Sequence, residues 1–306
     1  IVIDEARKII SGVPFGDQVE NESAVWADSM AKISALVEAG EVDTAMAETL
    51  TDQVRSALLE GYQPIYEEII AWLSEDIANT DSEPRGVWAL PQGEAYYNQL
   101  LSFYTTTNLS AEEVHQIGLE EVERLMAEMA VVKEEVGFAG EMLEFLDFVS
   151  SDEQFYYSNT DEGRQAYLDD TNVYYDFIRE KLPEYFGILP KADLEVKRVE
   201  AFREQDGAPA HYFQSSPDGE TPGIYYVHMS DMNANPSYEM ESTAYHEGLP
   251  GHHMQIAISL ELETVPEFRR QTWYNAYVEG WALYTERLAW EMGAYEDPYS
   301  NLGRLS

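Results

Sequence analysis

The sequence predicts a mainly α-helical protein with a small antiparallel β-sheet next to two helices that carry its chemistry. Three observations predict this class. Apolar residues recur at three- and four-residue spacing from Gly16 to about Leu182, β-rich runs are confined to the stretch that follows, and three of the six histidines fall within eight residues of a later helical segment.

The helical part can be justified element by element. Val25, Trp26, Met30, Ile33 and Val37, then Leu50, Val54 and Leu58, mark core faces. Breaks are expected at Gly40, at Gly61 with Pro64, in the 80–86 stretch with Pro84, and at Pro91, because each supplies the Gly or Pro that ends a helix. Ser110-Ala111-Glu112-Glu113 has capping-box spacing, in which the Ser oxygen and the Glu side chain satisfy each other's orphan amides, and it predicts a helix to about Val136. A further amphipathic helix is expected from Thr160 to Glu184, closed by Pro183.

Composition changes near Gly187–Pro190, which divides the chain into a helical region, 1–190, and a region, 191–306, of small sheet plus histidine-bearing helices. Leu194–Val199, Ala210–Phe213 and Gly223–Val227 are the strand candidates. Two helices are expected after them, about Ser237–Leu262 and about Pro266–Met292. No internal repeat stands out.

Composition narrows the function. Against 58 acidic side chains stand 18 basic ones, a formal net charge of -40, so a phosphate-tracking role on nucleic acid or on an anionic membrane surface is excluded. The acidity fits a well-solvated surface or adaptation to high salt. With no cysteine, disulfides, thiolate metal sites and cysteine nucleophiles are excluded, and any metal must be held by His and carboxylate. No run of about 18 apolar residues exists to span a bilayer. The opening lacks the pattern of a signal peptide, yet the chain does not begin with Met, so an export signal removed beforehand is compatible with it.

The chemistry concentrates in His246-Glu247-Gly248-Leu249-Pro250-Gly251-His252-His253. A His-Glu pair followed one turn later by a second His lets two imidazoles hold zinc while the Glu activates water. The usual spacing puts that second His four residues on, where this chain has Pro250. In an unbroken helix His252 would point about 120° away from His246, and His253 would share its face about 10 Å along the axis. Pro250 cannot donate to the His246 carbonyl and lies between Gly248 and Gly251, so a bulge or break is expected that brings a later histidine into place. His252 is favoured as second ligand, with His253 the runner-up. For the third ligand the next helix offers Glu279, flanked by apolar residues, with Glu286 two turns on as runner-up ligand or as acceptor for a ligand imidazole.

Upstream, the strand 223–228 precedes the metal helix, and Tyr225, Tyr226 and His228 are candidate substrate contacts. An edge strand there would pair with a peptide backbone and give affinity without sequence preference. His115 is expected to be structural, and His211 is uninformative.

HEGLPGHHMQ at 246–255, YVEGWALYTERLA at 277–289, TTTNLSAEEVHQIGLEEVERL at 105–125 and SPDGETPGIYYV at 216–227 together resemble the bacterial family called domain of unknown function 885, from about residue 90 onward. Many of its members are described as secreted lipoproteins or zinc peptidases. The resemblance implies a mostly helical, gluzincin-like metallopeptidase fold with a small sheet at the active site, Zn2+ as cofactor, and a periplasmic or secreted location with a lipid anchor outside this chain. More remotely the chain looks like thimet-type oligopeptidases, whose third ligand lies on a VE-containing helix about 25 residues after the second histidine, which supports Glu279.

Two departures bear on function. The family has an Arg just before the Pro-Gly of the strand motif, where this chain has Glu220-Thr221, and family members continue well past Asn301–Ser306. In thimet-type enzymes that later part stabilises the oxyanion, so this chain is expected to be truncated and to turn over poorly. The reading is a zinc peptidase acting on peptides, with His246, His252 and Glu279 as ligands and Glu247 as general base. Its rivals are a zinc hydrolase of another ester or amide, and a non-catalytic helical binding lipoprotein.

Overall fold

The computed structural model describes residues 2–16, 21–80, 83, 85–201, 203–205, 207–270 and 272–306, so the break expected at Pro84 lies outside the described residues. The chain forms two compact units, Ile1–Gly86 and Val87–Ser306, and the composition change at 190/191 falls inside the second.

In the first unit α1 (Val2–Ile9) lies ahead of the expected helical stretch, and the periodic segments become α2 (Ala24–Glu38), α3 (Thr44–Ala57) and α4 (Gln63–Asp76). Local chemistry sets their ends. Ser23 and Asp43 accept the amides of Trp26 and Met46 at the starts of α2 and α3, and Gly40 takes the left-handed conformation after α2, φ 70°. Gly61 and Pro64 do not break the rod as expected. A π turn at Leu58–Tyr62 joins α3 to α4 without a gap, and the wider turn accommodates Pro64 at the start of α4.

The second unit begins with α5 (Gly93–Thr105), α6 (Ala111–Glu135), α7 (Met142–Ser151) and α8 (Asp161–Tyr185). The capping box at Ser110 and Glu113 is formed as expected. Pro183 does not close α8, which continues to Tyr185, because a proline in the last turn forfeits a single backbone bond.

Three strands follow: β1 (Leu194–Arg198), β2 (His211–Phe213) and β3 (Gly223–Val227), in the order β1-β3-β2. The sheet is mixed rather than antiparallel. β1 runs parallel to β3, with Leu194 opposite Gly223 and Arg198 opposite Val227, while β2 pairs antiparallel with residues 224–226. Alternation fixes which face each strand shows but not the direction of its neighbour, and the connection through 199–222 is long enough for a parallel crossover. β3 is therefore the central strand, paired on both sides, and not the free edge that the sequence reading assigned to it.

Beyond the sheet lie α9 (Ser237–Glu247), α10 (His252–Glu261), α11 (Glu267–Arg270), α12 (Asn275–Glu291) and α13 (Pro298–Leu305). The first of the two expected helices is split at 248–251, and the second is split between Arg270 and Asn275. The main core joins Tyr175, Ile178 and Leu182 of α8 to Tyr225 and Val227 of β3, Met240, Ala244 and Tyr245 of α9, Met254 of α10 and Leu288 of α12. A second cluster gathers Met129 and Val132 of α6, Phe145 and Val149 of α7, and Leu302 and Leu305 of α13. α13 crosses α9 so closely that a Cβ at Gly303 would lie 1.8 Å from the Tyr238 carbonyl oxygen, so only glycine fits.

Candidate metal centre

The motif loop 248–251 lies between α9, which ends with His246 and Glu247, and α10, which begins with His252. The helix is interrupted there by a tight loop. A Cβ on Gly251 would lie 1.9 Å from the His246 carbonyl oxygen, so the close return that faces the two histidines depends on glycine at this position. The imidazole rings of His246 and His252 come to 4.7 Å between centroids, nearly perpendicular. Two anchors hold the loop and its helix in place. Trp281 of α12 donates its indole N–H to the Pro250 carbonyl at 3.0 Å, and the buried Tyr175 hydroxyl donates to the Ala244 carbonyl at 2.7 Å.

Trp281 lies two residues beyond Glu279 on α12, so the helix that clamps the loop also brings in the third group. Glu279 Oε2 lies 3.8 Å from His246 Nε2 and 3.5 Å from His252 Nε2. One ligand atom from each of His246, His252 and Glu279 falls within a 4.8 Å span. Zinc bonds of 2.0–2.2 Å in tetrahedral geometry require ligand atoms about 3.4 Å apart, so this two-imidazole, one-carboxylate donor set fits zinc. The Glu279 side chain is 53 % exposed, which leaves one side of the cluster open to solvent.

The runner-up residues have other partners. Glu286 accepts from His246 Nδ1 at 2.8 Å with one oxygen and from the Ser242 hydroxyl at 2.8 Å with the other. It therefore holds the His246 ring with the Nε2 lone pair turned toward the cluster. His253 is fully committed: Nε2–H donates to the Ala192 carbonyl at 3.1 Å, and Nδ1 accepts from the Tyr212 hydroxyl at 3.1 Å. Its neighbour His252, by contrast, has a buried Nδ1 without a partner among the described residues.

Electrostatics follow the burial. Burial pushes His252 down to about 4, helped by the neighbouring His246, so the ring is neutral and its lone pair is available. At His246 burial acts in the same sense, but the Glu286 hydrogen bond and the carboxylates of Glu247 and Glu279 outweigh it and raise the pKa. Burial lifts Glu247 to about 7, with His246 opposing and Glu279 reinforcing the rise.

A cavity of about 430 Å³ opens onto His246, Glu247 and Glu286, with Glu239, Ser242 and Thr243 along α9 and the segment 207–210 ahead of β2. Of the three substrate contacts read from the sequence, Tyr225 alone lines it, together with Tyr167 of α8. Burial drives the pKa of both phenols far up, so both stay protonated. Tyr226 points to the other face of β3, where it stacks on His211 with ring centroids 5.4 Å apart. His228 Nδ1 accepts the Gln205 amide at 3.2 Å, and its ring packs on His211. The sequence reading missed Glu239, Ser242 and Thr243, although positions three, four and seven residues before His246 share its helical face. Tyr167 gave no signal, because only the packing of α8 against α9 and the sheet brings it there.

These elements define a mainly helical protein, with a small mixed sheet, that gathers two imidazoles and a carboxylate at one point. The whole chain, residues 1–306, matches the family described as "Bacterial protein of unknown function (DUF885)", and it belongs to that family. It is also similar to a crystal structure described as "the putative lipoprotein from Colwellia psychrerythraea", with a TM-score of 0.88 and 33% sequence identity over 99% of this chain and 50% of that one. The chain thus spans half the length of that relative. No curated protein matches the sequence.

Proposed function

We propose that the protein is a zinc-dependent peptidase. The observation that carries this reading is the convergence of His246, His252 and Glu279 within 4.8 Å beside a cavity into which Glu247 faces. Bound there, zinc would supply Lewis acidity toward a water and a substrate carbonyl. The protein's own groups would do the rest. Glu247, next to a ligand and on the cavity wall, takes the proton of the attacking water and returns it to the leaving amine. Glu286 keeps the His246 ring in one tautomer and orientation. Tyr167 and Tyr225, protonated at every ordinary pH, offer hydroxyl groups to a substrate in the cavity. With this reading we propose an envelope or secreted location, on the strength of the Colwellia relative's description as a lipoprotein.

Elemental analysis of the purified protein tests the reading together with a peptide-cleavage assay. Zinc near one per chain is expected in the wild type and in His253→Ala, and its loss in His246→Ala, His252→Ala and Glu279→Ala. Glu247→Gln should keep the metal and lose cleavage by about 10²–10⁴-fold. A metal-free wild type, or a Glu247→Gln variant of undiminished activity, would overturn it.

A further inference from the structure

A second cavity, of about 440 Å³, lies among α10, α11 and α12, with Gln255, Arg269, Arg270, Trp273, Tyr274 and Tyr277 on its walls. It begins close to the candidate metal ligands on both long helices. Gln255 follows His252 by three residues on α10, a rise of about 4.5 Å on the same face, and Tyr277 precedes Glu279 by two on α12.

Its chemistry departs from that of the rest of the chain. Most arginines elsewhere among the described residues sit beside carboxylates, as Arg124, Arg203 and Arg287 do, and Arg55 sits instead over the Trp26 ring. Arg269 and Arg270 have no ion-pair partner among the described residues, in a chain of 58 acidic side chains. Arg270 is tied down by one nitrogen only: Nη1 donates to the Leu260 carbonyl at 3.1 Å. The opposite edge of the guanidinium, Nε with Nη2, is the one that receives a carboxylate through two parallel bonds. On that edge Nε is buried without a partner among the described residues. Gln255 has the complementary deficit. Its Nε2 donates to the Tyr277 carbonyl at 3.0 Å, which leaves Oε1 as the acceptor, buried and unpaired among the described residues. Groups left unpaired in this way are costly unless a ligand completes them.

A ligand that completes both must bring an anionic acceptor to Arg270 and an N–H to Gln255. The last residue of a peptide carries the two together, and Trp273 and Tyr274 offer aromatic surface for its side chain. We propose that this cavity binds the free C-terminal residue of a peptide, aromatic or large and apolar, with its carboxylate on Arg270 and Arg269 and its amide N–H on Gln255. The consequence for chemistry, cleavage close to the C-terminus, rests on the peptidase reading; the binding itself does not.

Titration calorimetry with N-acetylphenylalanine and with its C-terminal amide tests the site on the purified protein. The wild type should bind the acid at least tenfold more tightly than the amide. Arg270→Gln should abolish that preference, exposed Arg269→Gln should reduce it, and Trp273→Ala should weaken acid and amide alike. If Arg270→Gln fails to fold by circular dichroism, the Arg269→Gln result decides. Equal affinity for acid and amide, no binding of either, or a preference untouched by the arginine variants would overturn the proposal. A metal-free protein that still prefers the acid would sink the peptidase reading alone, and zinc-dependent cleavage indifferent to C-terminal amidation would sink this one alone.

Discussion

Two places on α9, little more than a turn apart, differ in how completely their polar atoms are paired. Glu241 is buried, and its oxygens accept from the Tyr245 hydroxyl, the Tyr295 amide and the Ser300 hydroxyl. At the end of the same helix, the Nε2 atom of His246, with that of His252 from the start of α10, faces Glu279 at 3.8 and 3.5 Å, too far for a hydrogen bond. The saturated cluster ties α9 to the 295–300 segment and leaves nothing to offer a ligand. The unsaturated one has lone pairs to spare. Adjacent histidines repeat the contrast, His253 fully paired and His252 with an orphaned nitrogen.

If saturation marks the structural groups, their removal should cost stability and spare the candidate metal centre. Glu241→Ala strands three buried neutral donors at about 1–3 kcal/mol each, so a loss of about 3 kcal/mol or more is expected, read from the midpoint of urea unfolding, with zinc stoichiometry unchanged in whatever remains folded. A loss under about 1 kcal/mol would break the comparison. Glu286→Gln tests the other side. It keeps the shape of the brace on His246 but removes its charge, and zinc affinity should fall about 10- to 100-fold in a competition titration with little change in unfolding.

The smallest effect is expected at a third paired carboxylate. Glu204 accepts two bonds from Arg198 and one from the Met229 amide, and the Arg198 bonds hold its pKa below the ordinary 4.5. A depressed folded-state pKa stabilises the protein above the unfolded value, and that contribution disappears as pH falls through the folded one. Glu204→Gln should therefore lower the melting temperature at pH 7, and the gap to wild type should close in melts taken progressively below pH 4.5. A gap that persists unchanged at pH 3 would remove the ion pair as its cause.

The sequence carried the parts of this arrangement that depend on local chemistry. Pro250 between two glycines announced the break that lets His252 face His246, and the capping box at Ser110 located the start of α6. Glu279 was legible because its spacing from the histidines and its apolar flanks on a helix restrict where it can point. Strand direction was not legible: the alternation in Leu194–Arg198 is the same in either orientation, and β3 became central only because a crossover laid β1 along its other side. That placement removed the free backbone edge expected beside the metal. It also turned Tyr226 and His228 away from the cavity, a consequence of register that no local motif records.

The close crossing at Gly303 bears on how the molecule moves. α9 has α13 against one side, with α8 and α12 also in contact, whereas α12 leaves Tyr277, Leu283 and Tyr284 at least half exposed. Backbone amides of α9 around 240–245 should therefore exchange their hydrogens for deuterium only through global unfolding, and those at the start of α12 through cheaper local openings. His246 and Glu247 would then be set on a slow-exchanging support, while Glu279 arrives on a helix free to breathe, so that release of an ion would begin from the carboxylate and not from the imidazoles.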